Sequence, residues 1–268
     1  MPSQRPIHPT EHLQERKQIM QSRKPIQIAG FSVTQTTSQV LAQHLLIALQ
    51  IRNKVSLFFA NTNFIVQCRS QLHRMRDDSV IVVNDGVGMD IAALLMQRSR
   101  FQENLNGTDF TPYLFKRSET PLRVFLLGGK PDVLQKAADY ARHQLGQKIV
   151  GVSDGYEDIK KNQKLLKAIN RSNPDVVLVA LGNPIQEKWI LDNRQVLNAG
   201  VVIGVGALFD FWAGDKSRAP VLMQKLRLEW FYRLCLEPRR LLRRYTVDIV
   251  RFLLHCHKYR SSGAAAHK

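Results

Sequence analysis

Five short apolar runs limit what this chain can fold into: residues 55–60, 80–83, 122–127, 175–181 and 201–205. They are rich in β-branched and long aliphatic residues and too short for core helices, so they read as buried strands. Polar or glycine-containing junctions follow them, among them Asn61-Thr62-Asn63, Asn84-Asp85-Gly86, Gly128-Gly129-Lys130, Gly182-Asn183-Pro184 and Gly206-Ala207. Shorter strands are expected at 25–31 and 149–152, and the spacing of apolar residues predicts helices over 37–52, 64–76, 89–98, 133–145 and 160–170. Residues 102–110 read as a polar loop. No two strands look hairpin-linked. Strands alternating with helices give an α/β fold with a mostly parallel, Rossmann-like sheet and helices on both faces.

Ligands of open α/β sheets bind beyond the carboxyl ends of the strands, which makes the junctions the candidate site. The run at 80–83 delivers Asp85 to that edge. A carboxylate there can take a proton from an attacking hydroxyl; the alternative is that Asp85 only caps the next helix. Asn61 stands at a neighbouring junction, and Asn104 lies in the polar loop. Gln186 and Glu187 open a helix after a strand and can reach over the sheet edge, although an acidic first turn also serves the helix dipole. Gly128 and Gly206 sit in turns whose amides can face a diphosphate. Neither turn fits a dinucleotide or P-loop pattern, and a plain tight turn explains them equally well.

Charge separates a second region from this core. The chain carries a formal +17, and residues 216–268 hold 13 Lys/Arg against 3 Asp/Glu. Such a stretch fits an anionic partner: nucleic acid, an anionic membrane or a phosphorylated substrate. The expected organisation is a flexible polar leader at 1–24, an α/β catalytic core at 25–217, a basic helical appendage at 218–258 and a disordered tail at 259–268. Within the appendage a helix is expected over 239–257, with Leu242, Tyr245, Ile249, Phe252 and Leu253 on one face and Arg240, Arg244 and Arg251 on the other. It can lie in an anionic lipid interface or pack on the core. No apolar run is long enough to span a bilayer. The 3 cysteines show no metal spacing and fit a reducing compartment. Zinc spacings, an Asp-x-Asp pair and a Gly-x-Ser-x-Gly elbow are absent from the sequence, which argues against metal and serine hydrolases.

In this order the motifs resemble the WecG/TagA/CpsF family of bacterial glycosyltransferases (family 26). The resemblance is carried by Asn84-Asp85-Gly86-Val87-Gly88, Val124-Phe125-Leu126-Leu127-Gly128-Gly129, Pro174-Asp175-Val176-Val177 and Leu181-Gly182-Asn183-Pro184-Ile185-Gln186-Glu187. It continues through Gly204-Val205-Gly206-Ala207-Leu208-Phe209-Asp210-Phe211-Trp212, Arg218-Ala219-Pro220, Tyr232-Arg233-Leu234, Glu237-Pro238-Arg239-Arg240 and Arg243-Arg244-Tyr245. It implies an inverting transferase that needs no metal cofactor. Such an enzyme moves a sugar from a UDP-sugar to a polyprenyl-diphosphate-linked saccharide in surface or exopolysaccharide synthesis. It would sit in the cytoplasm, peripheral on the inner face of the cell membrane, with an anionic membrane surface and a homo-oligomer among its partners. By the same resemblance Asp85 is the general base and Gln186 contacts substrate. Arg218, Arg233, Arg240 and Arg244 are the positions to meet the departing diphosphate or the membrane.

Two positions depart from the family. Phe59 stands where many members have Thr, and Asn104 where many have Arg. Loss of an arginine argues against a uronate donor and for a neutral hexose or N-acetylhexosamine; N-acetylmannosaminyl or N-acetylmannosaminuronosyl transfer is the alternative. Two readings of other classes rest on less. A nucleic-acid-binding protein is suggested by charge alone, without a recognition motif. An NAD-dependent oxidoreductase lacks its Gly-x-Gly-x-x-Gly.

Overall fold

A computed structural model describes residues 24–155, 162–226 and 228–265. The expected leader falls almost wholly outside these residues, as do the side chains of Arg240, Arg244 and Tyr245. The chain opens with β1 (Ile26–Ile28) and β2 (Phe31–Val33), an antiparallel pair. The turn between them is Ala29-Gly30, both at positive φ, which is the geometry that matches strand twist in a two-residue hairpin. This corrects the expected single strand at 25–31 and the absence of hairpins.

α1 (Ser38–Gln50) is capped by the Thr37 hydroxyl, and β3 (Val55–Ala60) is buried at every position. α2 (Thr62–Gln67) then ends at Cys68, and two short 3-10 turns replace the remainder of the expected helix to 76. There the Arg69 guanidinium donates to the Ala29 carbonyl, tying the chain to the hairpin. β4 (Val80–Asn84) and α3 (Val87–Gln97) follow. The expected loop at 102–110 holds over 102–106 and ends where α4 (Gly107–Arg117) begins. Its start is built by Asn106, whose Oδ1 accepts from the Asp109 N–H at 2.9 Å.

The remaining core elements alternate: β5 (Arg123–Gly128), α5 (Pro131–His143), β6 (Lys148–Ser153), α6 (Asn162–Ser172), β7 (Val176–Ala180), α7 (Ile185–Asn193), β8 (Val201–Gly204) and α8 (Leu208–Trp212). The six strands β3–β8 form one sheet in the order β4-β3-β8-β7-β5-β6, with every pairing parallel. Burial on both faces explains why β3, β4, β5, β7 and β8 read as apolar runs. One core packs α1, α4, α5 and α8 on the sheet through residues such as Leu45, Phe110, Leu134 and Trp212. The other packs α2, α3, α6 and α7 through Phe64, Met89, Ile169 and Ile190. The expected parallel α/β architecture is the one observed.

The C-terminal region is a chain of short helices, α9 (Val221–Lys225), α10 (Glu229–Leu236) and α11 (Pro238–Tyr245), then the longer α12 (Val247–Ala265). The single helix expected over 239–257 is broken at Thr246, whose hydroxyl donates to the Leu242 carbonyl at 2.7 Å, a bond that bends helices. The break moves the buried face. Leu241, Asp248, Phe252 and Cys256 are buried, while Leu242 and Leu253 face solvent. Phe252 and Cys256 join the second core, and α12 lies along α2. The helix runs past 258 into the stretch expected as a tail. Tyr259 lies against the hairpin turn, its ring 3.2 Å from where a Cβ on Gly30 would stand. No described helix is long and apolar enough to cross a membrane.

Candidate active site

A cavity of about 430 Å³ opens beyond the carboxyl ends of β4, β3, β8 and β7. Here the chain leaves β3 toward one side for β4 and later returns from the other side to β8, the kind of switch point at which α/β sheets bind ligands. Asp85, Asn61, Asn104, Gln186, Gly206 and Arg233 all line it.

Asp85 continues the line of β4, its N–H donating to the Ala60 carbonyl at 2.7 Å. The chain then turns at Gly86 (φ 89, ψ 160), a conformation open in practice to glycine alone. Gly86, not Asp85, is the N-cap residue of α3, and Asp85 lines the cavity. Asn61 bridges two elements. Its Oδ1 accepts from the Phe64 N–H at 3.1 Å and caps α2, which leaves Nδ2 to donate to Asp85 Oδ2 at 3.3 Å. The segment from Glu103 to Asn106 closes the other side. Asn104 Oδ1 accepts from the Gly86 N–H at 2.5 Å, and the buried Asn84 donates to the Glu103 carbonyl at 3.0 Å. Glu103 itself is held by the backbone and hydroxyl of Ser38 at the start of α1.

Gln186 is locked from both ends. Its Oε1 accepts from the Gly206 N–H at 3.1 Å, and its Nε2 donates to Glu187 Oε1 at 2.7 Å. Glu187 does not reach the cavity. It is 1% exposed and lies beneath Gln186. Burial pushes its carboxyl above the usual range, and the Gln186 hydrogen bond only partly opposes that. Burial and the nearby Glu187 carboxyl push the Cys68 thiol up as well. The Asn183-Pro184 bond ahead of α7 is cis, and Asn183 lines the cavity. Gly128 is also placed elsewhere. A Cβ there would stand 2.4 Å from the Ala180 carbonyl oxygen of β7, and φ is 113°. The close contact with β7 by itself requires glycine here, and Gly128 is not among the residues lining this cavity.

The basic region supplies the roof. Arg233 of α10 is the one cation among the described lining residues, and its guanidinium sits 5.3 Å from the centre of the Phe211 ring, which also lines the cavity. Arg218 does something different. It forks onto Asp109 of α4, with one arm at 3.2 Å, and also reaches Gln224 at 3.3 Å and Glu229 at 3.4 Å. Burial alone would raise the Asp109 carboxyl. Hydrogen bonds from Arg218 and Asn106, with the charges of Arg218 and Arg233, outweigh that and hold it below its ordinary value. Of the four expected tail arginines, one therefore lines the cavity, one straps the roof to α4, and the side chains of Arg240 and Arg244 lie outside the described residues. Asn106, Thr108, Phe211, Glu229, Trp230 and Ile249 also line the cavity and were not expected as site residues. Among the described residues no cluster of His, Cys, Asp and Glu could hold a metal ion.

The arrangement offers a carboxylate poised by an amide, a second fixed amide across the floor and a guanidinium above, which suits proton abstraction opposite a developing negative charge. Over 164 residues the chain is 39% identical to the N-acetylglucosaminyldiphosphoundecaprenol N-acetyl-beta-D-mannosaminyltransferase of Bacillus subtilis (strain 168), an alignment covering 60% of this chain and 63% of that protein. The model of the glycosyl transferase WecG/TagA/CpsF family matches residues 26–265, from the first strand of the hairpin to the end of α12, and the chain belongs to that family.

Proposed function

We propose that the protein is an inverting glycosyltransferase that moves a neutral hexose or N-acetylhexosamine from a UDP-sugar to a polyprenyl-diphosphate-linked saccharide. It works without a metal ion, at the cytoplasmic face of the membrane. The observation that carries this is Asp85 at the cavity floor, bonded by Asn61, with Arg233 in the roof. Asp85 removes the proton of the acceptor hydroxyl as that oxygen bonds to the anomeric carbon. The bond from this carbon to the diphosphate oxygen breaks on the opposite face, which inverts the configuration. The proton stays on Asp85, and Arg233 meets the charge of the leaving diphosphate. Gln186 and Gly206 orient the bound substrates.

The same inventory bears on the donor. Arg233, the one described cation in the cavity, is engaged by the diphosphate, which leaves a uronate carboxylate without a partner. Both family departures, Phe59 and Asn104, line this cavity, and Asn104 spends its oxygen on Gly86. The Bacillus subtilis relative is named for N-acetyl-beta-D-mannosaminyl transfer to N-acetylglucosaminyldiphosphoundecaprenol, which supports a lipid-diphosphate acceptor and, among the donors, the N-acetylmannosaminyl alternative.

The test is UDP release from a panel of UDP-sugars, with a lipid-diphosphate monosaccharide as acceptor and chelator present. Asp85→Asn is expected to lower kcat by about 10²–10⁴-fold, the usual worth of a general base. Full activity of Asp85→Asn would remove the base assignment, and loss of wild-type activity on chelation would remove metal independence.

A further inference from the structure

α3 starts beside the proposed base and leaves the cavity with an apolar stripe that the described residues leave exposed. Val87, Gly88 and Ile91 line the cavity. Ile91, Leu94 and Leu95 are 52%, 44% and 60% exposed, whereas Met89, Ala92 and Ala93 on the other side of the helix are buried. Positions 87/88, 91 and 94/95 follow one another along a single helical face. α12 lies beside α3, with Ile249 in the cavity and Val250 and Leu254 exposed. Single exposed leucines need no explanation, but a stripe continuous with a ligand cavity does.

We propose that the outer stripe of α3 carries the first isoprene units of the acceptor's polyprenyl chain; this rests on the reading of the acceptor as lipid-linked. Continuity with the cavity fixes where the chain emerges. At the helical rise, Ile91 and Leu95 stand about 9 and about 15 Å along the axis from the level of Asp85. A sugar whose hydroxyl meets Asp85, followed by a diphosphate, uses roughly the first interval, and the hydrocarbon begins at Ile91. Arg98 and Arg100, both exposed, end the stripe with positive charge, which suits the anionic surface from which such a lipid is drawn.

Calorimetric titration of the full chain with inorganic diphosphate, geranyl diphosphate and farnesyl diphosphate, below their micelle-forming concentrations, tests this. The expected result is an affinity that tightens by about tenfold or more for each added isoprene unit, as apolar surface leaves water. The double variant Leu94→Gln/Leu95→Gln should lose that gain. Both positions are exposed, and Leu94→Ala/Leu95→Ala serves as a milder pair, expected to lose part of the gain. Equal affinity for the three diphosphates, or a chain-length gain that survives in the glutamine variant, overturns the proposal. So does a glutamine variant that keeps the gain but fails to float with phosphatidylglycerol vesicles free of acceptor, because the stripe would then be a bilayer contact. A chain-length gain in a protein that transfers sugar to no lipid-linked acceptor supports the isoprenoid site and removes the transferase reading instead.

Discussion

Arg218 offers a clean separation between a residue that binds substrate and one that holds the roof in place. Its guanidinium forks onto Asp109 and touches Glu229; its side chain is 29% exposed and that of Asp109 57%. At that exposure a bidentate pair contributes about 1 kcal/mol and the longer contact to Glu229 a few tenths, so Arg218→Gln should cost about 1–1.5 kcal/mol. In a chain of this size that lowers Tm by roughly 2–6 °C. Asp109→Asn should reproduce most of the loss, and the double variant should be no worse than Arg218→Gln, giving a coupling near 1 kcal/mol in a denaturation cycle. Asp109 titrates below its ordinary value, so the pair's stabilisation is present above the unfolded carboxylate pKa near 4 and is lost as pH falls through the lower folded value. The Tm gap between wild type and Arg218→Gln should therefore close in acid. Kinetically the two single variants should raise KM together, because each loosens α9 and α10 over the cavity. An Asp109→Asn enzyme of full activity beside an inactive Arg218→Gln enzyme would refute the strap and assign Arg218 to the substrate diphosphate.

Other expectations follow from burial and close contact. Gly128→Ala should destabilise by about 3 kcal/mol, since its Cβ meets the Ala180 carbonyl at 2.4 Å with φ at 113°, while UDP affinity measured by calorimetry stays unchanged. Lost UDP affinity at unchanged stability would make the turn a phosphate site after all. Glu187 is buried with a raised pKa, so it favours folding while protonated and weighs against it as pH rises from its ordinary value through the raised one. The Tm of Glu187→Gln should match wild type in acid and exceed it increasingly toward alkaline pH; a gap constant with pH would contradict this. Phe252→Ala removes a side chain 3% exposed where α12 meets the core and should cost about 3 kcal/mol. Faster proteolysis near Thr246 would show that α12 has loosened, and unchanged cleavage that it has not.

The sheet was legible because a strand buried on both faces has to be apolar at successive positions, and β3, β7 and β8 are. The hairpin was not, because two strands of three residues leave too short a pattern. Its apolar residues at 26, 28, 31 and 33 change phase across Ala29-Gly30, which is the turn's one mark in the sequence. The appendage was legible as basic and helical. Its buried face was not, because a wheel drawn through Thr246 assumes one straight helix, and the Thr246 hydroxyl breaks it.

The floor of the site was readable for the same reason as the sheet. Asp85, Asn61, Gln186 and Gly206 each follow a strand, and parallel strands bring all their carboxyl ends to one edge. The roof was not, since nothing local distinguishes Arg218 from Arg233. Their roles are divided by a third element, α4, whose Gly107, Thr108 and Pro112 disguise it as loop. The cap was visible in principle: Asn106 is followed three residues on by an acid, then by apolar residues at 110, 114 and 115. Once α4 exists, Asp109 projects from its first turn and captures Arg218, and that capture fixes where α10 begins. Only then does Arg233 lie over the cavity on the Phe211 ring. Reading residues 107–110 as the end of a loop therefore hides the reason one arginine straps the roof and the other lines the cavity, because that helix start holds the partner that sorts them.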